Sequence, residues 1–531
     1  MRLAEPQALR EQLSTLRVPR PPGFLTVLVL VQWILLLLLV RHRTHNGWFF
    51  YQSGDETLAY STAWSLAHGH IPQIFVGYGW PFLVAPIAGI CGLNFLDGVP
   101  ALVLVQTVVL LPLALFAVYG LASRIGGRLL GSFTAICWVV VPYAAIPLFS
   151  ATYRHTYEDQ ILPQALGVSG LSLLPSVVCV LLAGYFAVTS LDTADPVRAV
   201  LSGVLAGFAI GIDPANALFV AAPLVAFALA RRWRTAIVFS LAVLPAVATA
   251  ALWNYRGLGH IPLHVRIDPH HLHSVKLAFR SLCFSDRLIE VPFVAGVLAI
   301  GRRSWTKSAF VAVWFVTFLI VAASAPQARV EDGSLFRLLM PAFPAFLTAC
   351  CSIPLLVPRV GARLGEWLVL KRSPRLGRRD RRVVAVAVAL AALPLLVAAV
   401  LPIRKGPSVV AYQTDGVVVP VDPSFRPGAR TSAGALALEW PVRASDGGAV
   451  YYDVFISPAD AADVTCEPGR RPAACALTMQ LVGVSDGAAY TDKLRPGRWT
   501  YRIAAAVRWP AGENAADVML LSPPLAVSLP G

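Results

Sequence analysis

The sequence predicts a polytopic α-helical membrane protein, with about 11 transmembrane helices, the amino terminus inside, and a C-terminal extracytoplasmic β-sandwich. Three observations carry that expectation. Of 531 residues, 56% are hydrophobic and 14% charged, with a mean hydropathy of +0.65, whereas soluble domains carry roughly 25% charged residues. The apolar residues come in blocks of about 20, the length that crosses a hydrocarbon core of about 30 Å. Past Ile403 these blocks give way to short alternating runs separated by Gly and Pro. A soluble enzyme, a disordered regulator and a fibrous protein are excluded.

The net charge of +15 lies in the membrane part. Residues 403–531 hold 12 basic and 12 acidic residues, so 32 of the 44 basic and 17 of the 29 acidic residues precede them. A strongly basic chain can mark nucleic-acid binding. Here the cations sit in short loops between apolar blocks, which is the positive-inside pattern, and no nucleic-acid partner is expected.

Taken in order, residues 1–23 form a polar cytoplasmic N-terminus with Arg2, Arg10, Arg17 and Arg20. The first span, about 24–40, has no small-residue cleavage site after it and reads as an anchor. A first outer loop covers 41–100. Further spans fall near 101–122, 129–149, 166–190, 198–213, 215–230, 235–253, 288–301, 308–325, 337–358 and 383–402, which closes the membrane domain 24–402. The inside loops hold Arg124 and Arg128, then Arg231, Arg232 and Arg234, then Arg302, Arg303 and Lys307. The basic cytoplasmic loop 359–382 adds nine basic residues against two acidic ones. An odd number of spans puts the tail outside, and with it all ten histidines. The expected location is the plasma membrane. The 198–230 pair is the thinnest part of the count.

The eight cysteines show no zinc spacing. Six lie in or beside apolar segments and suit small core positions. Cys466 and Cys475 form a close pair in the polar tail, where an extracytoplasmic setting allows a disulfide.

Residues 407–531 carry strand patterns: Ala435 to Trp440, Tyr451 to Ile456 and Trp499 to Ile503. About 120 residues with several short strands suggest a β-sandwich. The segment resembles a fibronectin type III domain. Trp440 fits the inward tryptophan of its second strand, and Leu494-Arg495-Pro496-Gly497 fits the turn before a later one. The family's tyrosine falls out of step, flanked by Trp499 and Tyr501. The resemblance implies a spacer or binding surface without catalysis.

Two acidic pairs stand just outside expected spans, where ionisable groups are costly and informative. Asp55-Glu56 precedes a short amphipathic stretch, Ala63 to Ala67, then His68-Gly69-His70-Ile71-Pro72 and Gly77-Tyr78-Gly79-Trp80-Pro81. This part of the chain is expected to lie along the membrane surface. Glu158-Asp159 follows Arg154 between the third and fourth spans, on the same side. Carboxylates converging on one cavity can serve as a general base or hold a divalent cation. Asp55 also suits a helix cap, and Glu158-Asp159 a solvated loop; both pairs of readings stay open on the residues alone.

The stretch from Gly54 through Pro86 resembles the first extracytoplasmic loop of the glycosyltransferase C superfamily, the polyprenyl-phosphate-sugar-dependent membrane enzymes that include protein O-mannosyltransferases and lipid A aminoarabinose transferases. Further fragments match in order: Gly203 to Gly207 with Asp213-Pro214, where the family more often has Lys or Arg; Leu252 to Pro262; and Phe336 to Pro344. The resemblance implies Asp55 as catalytic base with Glu56 beside it, Glu158 and Asp159 at the substrate or metal side, and Arg337 facing the lipid phosphate. A first-loop lysine of some members has no counterpart, and His68 or His70 stands in its place. Arg154 and Arg256 are further phosphate candidates.

The large outer loop 254–287 holds His260, His264, His270, His271 and His273 with Arg256, Arg266, Lys276 and Arg280. The run Asp268 to His273 holds no helical i, i+4 ligand pair and no Cys assists, so an electropositive rim, a metal site and anchoring to anionic headgroups all remain open. The expected activity is an inverting transfer of a hexose or pentose from a polyprenyl-phosphate donor to an extracytoplasmic glycan, lipid or protein. The cofactor is unspecified, with a divalent cation as a candidate. A transporter or flippase of lipid-linked sugars and a non-catalytic envelope scaffold are the alternatives. The inner loops carry no nucleotide-binding motif.

Overall fold

A computed structural model describes residues 21–42, 54–72, 77–92, 95–148, 157–168, 172–258, 287–325, 334–357 and 378–404, and the single positions 273, 275 and 328. In the tail it describes 410–414, 422–432, 435–443, 449–458, 464–466, 473–477, 480–493, 496–508 and 516–529. Most of the segment 254–287 and most of the basic segment 359–382 lie outside the described residues.

The helical part begins with α1 (Pro21–His42), α2 (Gly54–Ala67), strand β1 (Ile71–Pro72), α3 (Gly79–Cys91) and α4 (Phe95–Leu104). A π-helical turn (Val105–Leu110) leads into α5 (Leu111–Gly126), followed by α6 (Arg128–Ala144). A second π turn (Tyr157–Ile161) and a 3-10 turn (Ala165–Val168) precede α7 (Leu173–Thr193) and α8 (Pro196–Ile212). Next come a 3-10 turn (Pro214–Val220), α9 (Ala221–Leu229), α10 (Trp233–Leu258), α11 (Arg287–Gly301) and α12 (Trp305–Ser324). The series closes with α13 (Ser334–Leu339), α14 (Phe343–Cys351), a 3-10 turn (Ile353–Leu356) and α15 (Arg378–Val400).

Among the described residues, seven helices are long and apolar enough to cross a membrane: Gly23–Arg41, Gly98–Gly126, Leu173–Thr193, Trp233–Arg256, Trp305–Ser324, Ser334–Cys351 and Arg382–Val400. The expected spans near 129–149, 198–213, 215–230 and 288–301 are also helical but shorter. At 1.5 Å per residue a 17-residue helix reaches about 26 Å, less than a full hydrocarbon core. Local chemistry explains two of the breaks. Asp195 accepts a hydrogen bond from Val197 N at 3.0 Å and Asp213 from Ala215 N at 2.9 Å. Each caps a segment that starts at the next residue, a proline.

Gly203, Gly207 and Gly211 lie four apart on one face of α8. A Cβ on Gly203 would stand 2.5 Å from Phe239 O, and one on Gly207 2.7 Å from Ala246 Cβ. The missing side chains let α8 and α10 touch backbone to backbone, as small residues do between membrane helices. Phe219, Phe310 and Trp314 meet at the centre of the bundle, Phe219 and Trp314 edge to face at 5.0 Å.

One end of the bundle is basic. Three helical segments finish there with their terminal carbonyls satisfied by cations. Arg303 donates to Gly126 O (3.1 Å), Arg232 to Ser190 O (2.9 Å) and Arg302 to Leu356 O (2.7 Å). Lys307 donates to Arg124 O (2.5 Å) and pairs with Asp192 at 2.8 Å. At the opposite end β1 pairs in parallel with β2 (Ile403–Arg404), Ile71 opposite Ile403. That pairing joins the first loop to the start of the tail.

The tail comprises β3 (Val410–Thr414), β4 (Gly428–Ser432), β5 (Ala435–Glu439), β6 (Ala449–Pro458), β7 (Val464–Cys466), β8 (Ala473–Leu477), β9 (Gln480–Ser485), β10 (Ala489–Lys493), β11 (Gly497–Arg508), β12 (Ala516–Leu521) and β13 (Leu525–Leu529). One sheet runs β10-β5-β4 and another β12-β11-β6-β9, with β13 also on β11; β3-β8-β7 form a third. The first two share a core in which Leu436, Leu438 and Trp440 meet Tyr452, Val454, Tyr501 and Ile503. Pro523 and Pro524, which lack N–H donors, divide β12 from β13. Ser522 bridges the break: its Oγ accepts from Ile503 N and its N–H donates to Ile503 O, both at 2.8 Å. β7 and β8 pair antiparallel with Cys466 directly opposite Cys475. Opposed residues stand about 4.5–5.5 Å apart at Cα, inside the range a disulfide requires.

Candidate functional site

Asp55 and Glu56 occupy the first turn of α2, described here as backbone only. The expected amphipathic stretch is part of this 14-residue helix, which packs against α3 instead of presenting one polar and one apolar face. Its buried set mixes Ala59, Tyr60 and Ala63 with polar Thr62 and Ser65. Tyr60 donates to Gly92 O at 2.9 Å, and its ring occupies the space that a side chain on Gly98 would need. The first three apolar residues join Trp80, Val84, Ala88, Val99, Leu102 and Ile212 in one cluster. The chain between the first two long helices is thus a packed helical pair.

α2 ends in a Schellman motif: Gly69, at φ 77°, donates to Leu66 O (3.0 Å) and His70 N donates to Ser65 O (2.9 Å). The His68 ring stacks on Trp64, with centroids 4.1 Å apart, and its Nδ1 lies 2.8 Å from Trp64 O. His68 therefore finishes the helix that Asp55 starts. Thirteen residues of helix separate them, roughly 20 Å, too far for both to touch one phosphate.

The segment Gly77-Tyr78-Gly79 fits against the end of α8. A Cβ on Gly79 would stand 2.7 Å from Ile212 N, and one on Gly211 2.5 Å from the Tyr78 ring. Tyr78 reaches Ala246 O at 3.4 Å and lies 6.4 Å from the Trp253 ring. Ile71, Tyr78, Trp253 and Ala398 share one buried cluster. Arg256, a phosphate candidate by sequence, donates to Ala398 O and to Leu401 O (2.7 Å). Its guanidinium caps the carbonyls at the end of α15, a role the charge alone did not reveal.

Glu158 lies buried in the π turn at Tyr157–Ile161. Pro142 sets the position of this turn. Lacking an N–H, it leaves Trp138 O without its helical donor, and Gln164 Nε2 fills that place at 2.8 Å. Tyr157 OH donates to Pro142 O at 2.7 Å. Burial, then Tyr143 and Glu158, hold the Tyr157 phenol above its usual value. The same turn touches α13, which carries half-buried Arg337. Beside it Leu335 packs with Val275 of the 254–287 segment and with Ala322 and Ala323. The elements bearing Glu158 and Arg337 thus meet, while Asp55's helix takes its main contacts from α3, α4, β1 and β3.

Asp159 is described as backbone only, and Arg154 lies outside the described residues. So do all the loop histidines except His273. Among the described residues no three His, Cys, Asp or Glu side chains gather to hold a metal. Glu158 and Asp159 offer hard oxygen donors of the kind that suit Mg²⁺ or Mn²⁺. Tyr78, Tyr157 and Gln164 were not picked out by sequence reasoning. A mid-span proline was the one visible hint of the last two. No protein-family model matches the chain, and no curated protein matches it.

Proposed function

We propose that the chain is a membrane glycosyltransferase that moves a sugar from a polyprenyl-phosphate donor to an extracytoplasmic acceptor, with its amino terminus inside and its tail outside. The observation that carries this reading is a convergence. The fragments Gly77–Pro81, Gly203–Asp213 and the one starting at Leu252, which resemble the glycosyltransferase C superfamily in sequence, touch one another at the end opposite the basic one. Asp55's helix is packed beside them.

In this reading the Asp55 carboxylate takes the proton of the acceptor hydroxyl as its oxygen bonds to the anomeric carbon. The bond from that carbon to the donor phosphate breaks, and the leaving polyprenyl phosphate is held by Arg337. A single displacement inverts the anomeric configuration, because no protein carboxylate need form a glycosyl intermediate. Glu158 and Asp159 orient the sugar or hold a divalent cation that would neutralise phosphate charge. The two facing sheets of the tail support a fibronectin type III-like domain, in which Tyr501 OH donates to buried Asp492 at 2.9 Å. Through β1–β2 that domain stands next to the first loop, a position suited to presenting the acceptor.

The test uses membranes containing the wild-type chain, labelled polyprenyl-phosphate hexoses and pentoses, and a cell-envelope acceptor extract. Release of free polyprenyl phosphate together with labelled acceptor is expected. Intact labelled lipid crossing the bilayer would replace this reading with transport, and neither outcome would leave a scaffold.

A further inference from the structure

A cavity of about 440 Å³ opens at the basic end of the bundle, lined by Leu298, Gly301, Arg302, Arg303, Trp305 and Leu356. That volume falls within the roughly 300–1,000 Å³ of small-molecule sites. Arg302 and Arg303 are exposed, and each gives a carbonyl one of its five guanidinium N–H donors. The other donors have no protein partner among the described residues. Among the described residues, Asp192 and Asp195 near this end are already neutralised, by Lys307 at 2.8 Å and by Arg198 at 3.3 Å. Two adjacent cations therefore face an open concavity with surplus donors.

The apolar surroundings narrow the choice of ligand. Trp305 is 74% exposed at the rim, where an indole suits the boundary between headgroup and hydrocarbon. Val291, Val294 and Leu298 are 63%, 55% and 53% exposed. Their i, i+3, i+7 spacing makes one stripe along α11 that runs directly into the cavity wall. A soluble anion would have no use for such a stripe.

We propose that this cavity binds the phosphate of an anionic membrane lipid, with Arg302 and Arg303 donating to its oxygens and the lipid chain lying along Val291, Val294 and Leu298. Guanidinium groups bind phosphate oxygens through paired donors, and a headgroup without a cation of its own leaves the phosphate charge to them, so a net-anionic phospholipid is favoured over a zwitterionic one. The site is independent of the proposed transfer reaction and stands at the other end of the bundle. Its occupant would seal the junction of α11 and α12, which Arg303 and Lys307 tie to α5 and Arg302 to the 3-10 turn Ile353–Leu356.

The experiment is native mass spectrometry of the full-length protein in detergent, titrated with phosphatidylglycerol or phosphatidylcholine of matched chains. One phosphatidylglycerol is expected to be retained at least about tenfold more tightly than phosphatidylcholine. Arg302→Gln with Arg303→Gln should remove that preference, and Trp305→Ala should weaken retention several-fold while leaving both carbonyl bonds in place. Arg234→Gln, an exposed cation at the same end, should change nothing. Equal retention of the two lipids, an equal loss in Arg234→Gln, or unaltered retention in Trp305→Ala would overturn the site. Displacement of the lipid by millimolar inorganic phosphate would show a soluble-anion site instead.

Discussion

The two ends of the helical bundle are closed by different physics. At the basic end the closing contacts are long cationic side chains reaching the final carbonyls of neighbouring helices: Arg232, Arg302, Arg303 and Lys307 each do so. At the opposite end closure is by backbone proximity, with Gly77, Gly79 and Gly211 admitting Tyr78 and Ile212, and β1 pairing with β2. The described contacts there include one cationic cap, Arg256. The cations that would fix orientation in a bilayer thus also pay for helix termini, whereas the glycine end tolerates no added atom. A substrate site beside the glycine end would rest on a rigid frame.

That contrast can be broken at either end. Lys307→Met strikes the largest single interaction of the basic end, since the Lys307 and Asp192 side chains are 14% and 16% exposed. Leaving Asp192 without its partner should cost about 3 kcal/mol, read as a lower thermal midpoint of the detergent-solubilised protein; an unchanged midpoint would mean the cations there are decorative. Gly79→Val tests the other end. Its Cβ meets the backbone of Ile212, so a loss of about 2 kcal/mol is expected from overpacking, with Tyr78 displaced and its fluorescence environment altered. If Gly79→Val melts like the wild type, the close approach is not real.

Arg256→Gln sharpens the comparison, because it removes the cationic cap from the glycine end. Losing charge-assisted bonds to two carbonyls should cost about 1.5 kcal/mol, and protease access near residue 403 should rise as β2 loosens. A change in donor binding without any change in that access would restore Arg256 as a phosphate ligand. The smallest effect on the bundle belongs to the tail. With Cys466 and Cys475 joined, six of the eight cysteines should take maleimide in the denatured, unreduced protein and all eight after reduction. Reduction should leave the helical melting within about 0.5 kcal/mol, as distant sites are independent. Eight labels before reduction would exclude the disulfide.

The sequence made the hydrophobic blocks, the cation-bearing loops and the strand-rich tail legible, because each is a local pattern. Among the described residues seven helices are long and apolar enough to cross a membrane, against the about 11 spans expected, and two sheets of the tail share one core. The pairing of α2 with α3 was hidden, since Tyr60 and Thr62 do not distinguish a packed helix from one lying on a membrane. The partners of Arg256 were hidden for a related reason: a positive charge near an expected outer loop suits a phosphate, and its carbonyl partners are more than 140 residues away. Gln164 was invisible because its role is set by an N–H that Pro142 lacks. Sidedness led to the expectation that Asp55-Glu56 and Glu158-Asp159 converge on one cavity, whereas the described contact joins the turn bearing Glu158 to the helix bearing Arg337. The separation of His68 from Asp55 follows only once both are known to lie on one helix.

The central claim is that the carboxylate of Asp55 removes the acceptor proton. The direct measurement compares polyprenyl-phosphate release by the wild type and Asp55→Asn at equal amounts of folded protein, with matched thermal midpoints as the control. The account predicts a fall of at least about 10²-fold, the contribution of a positioned general base. Release by Asp55→Asn within twofold of the wild type would contradict it.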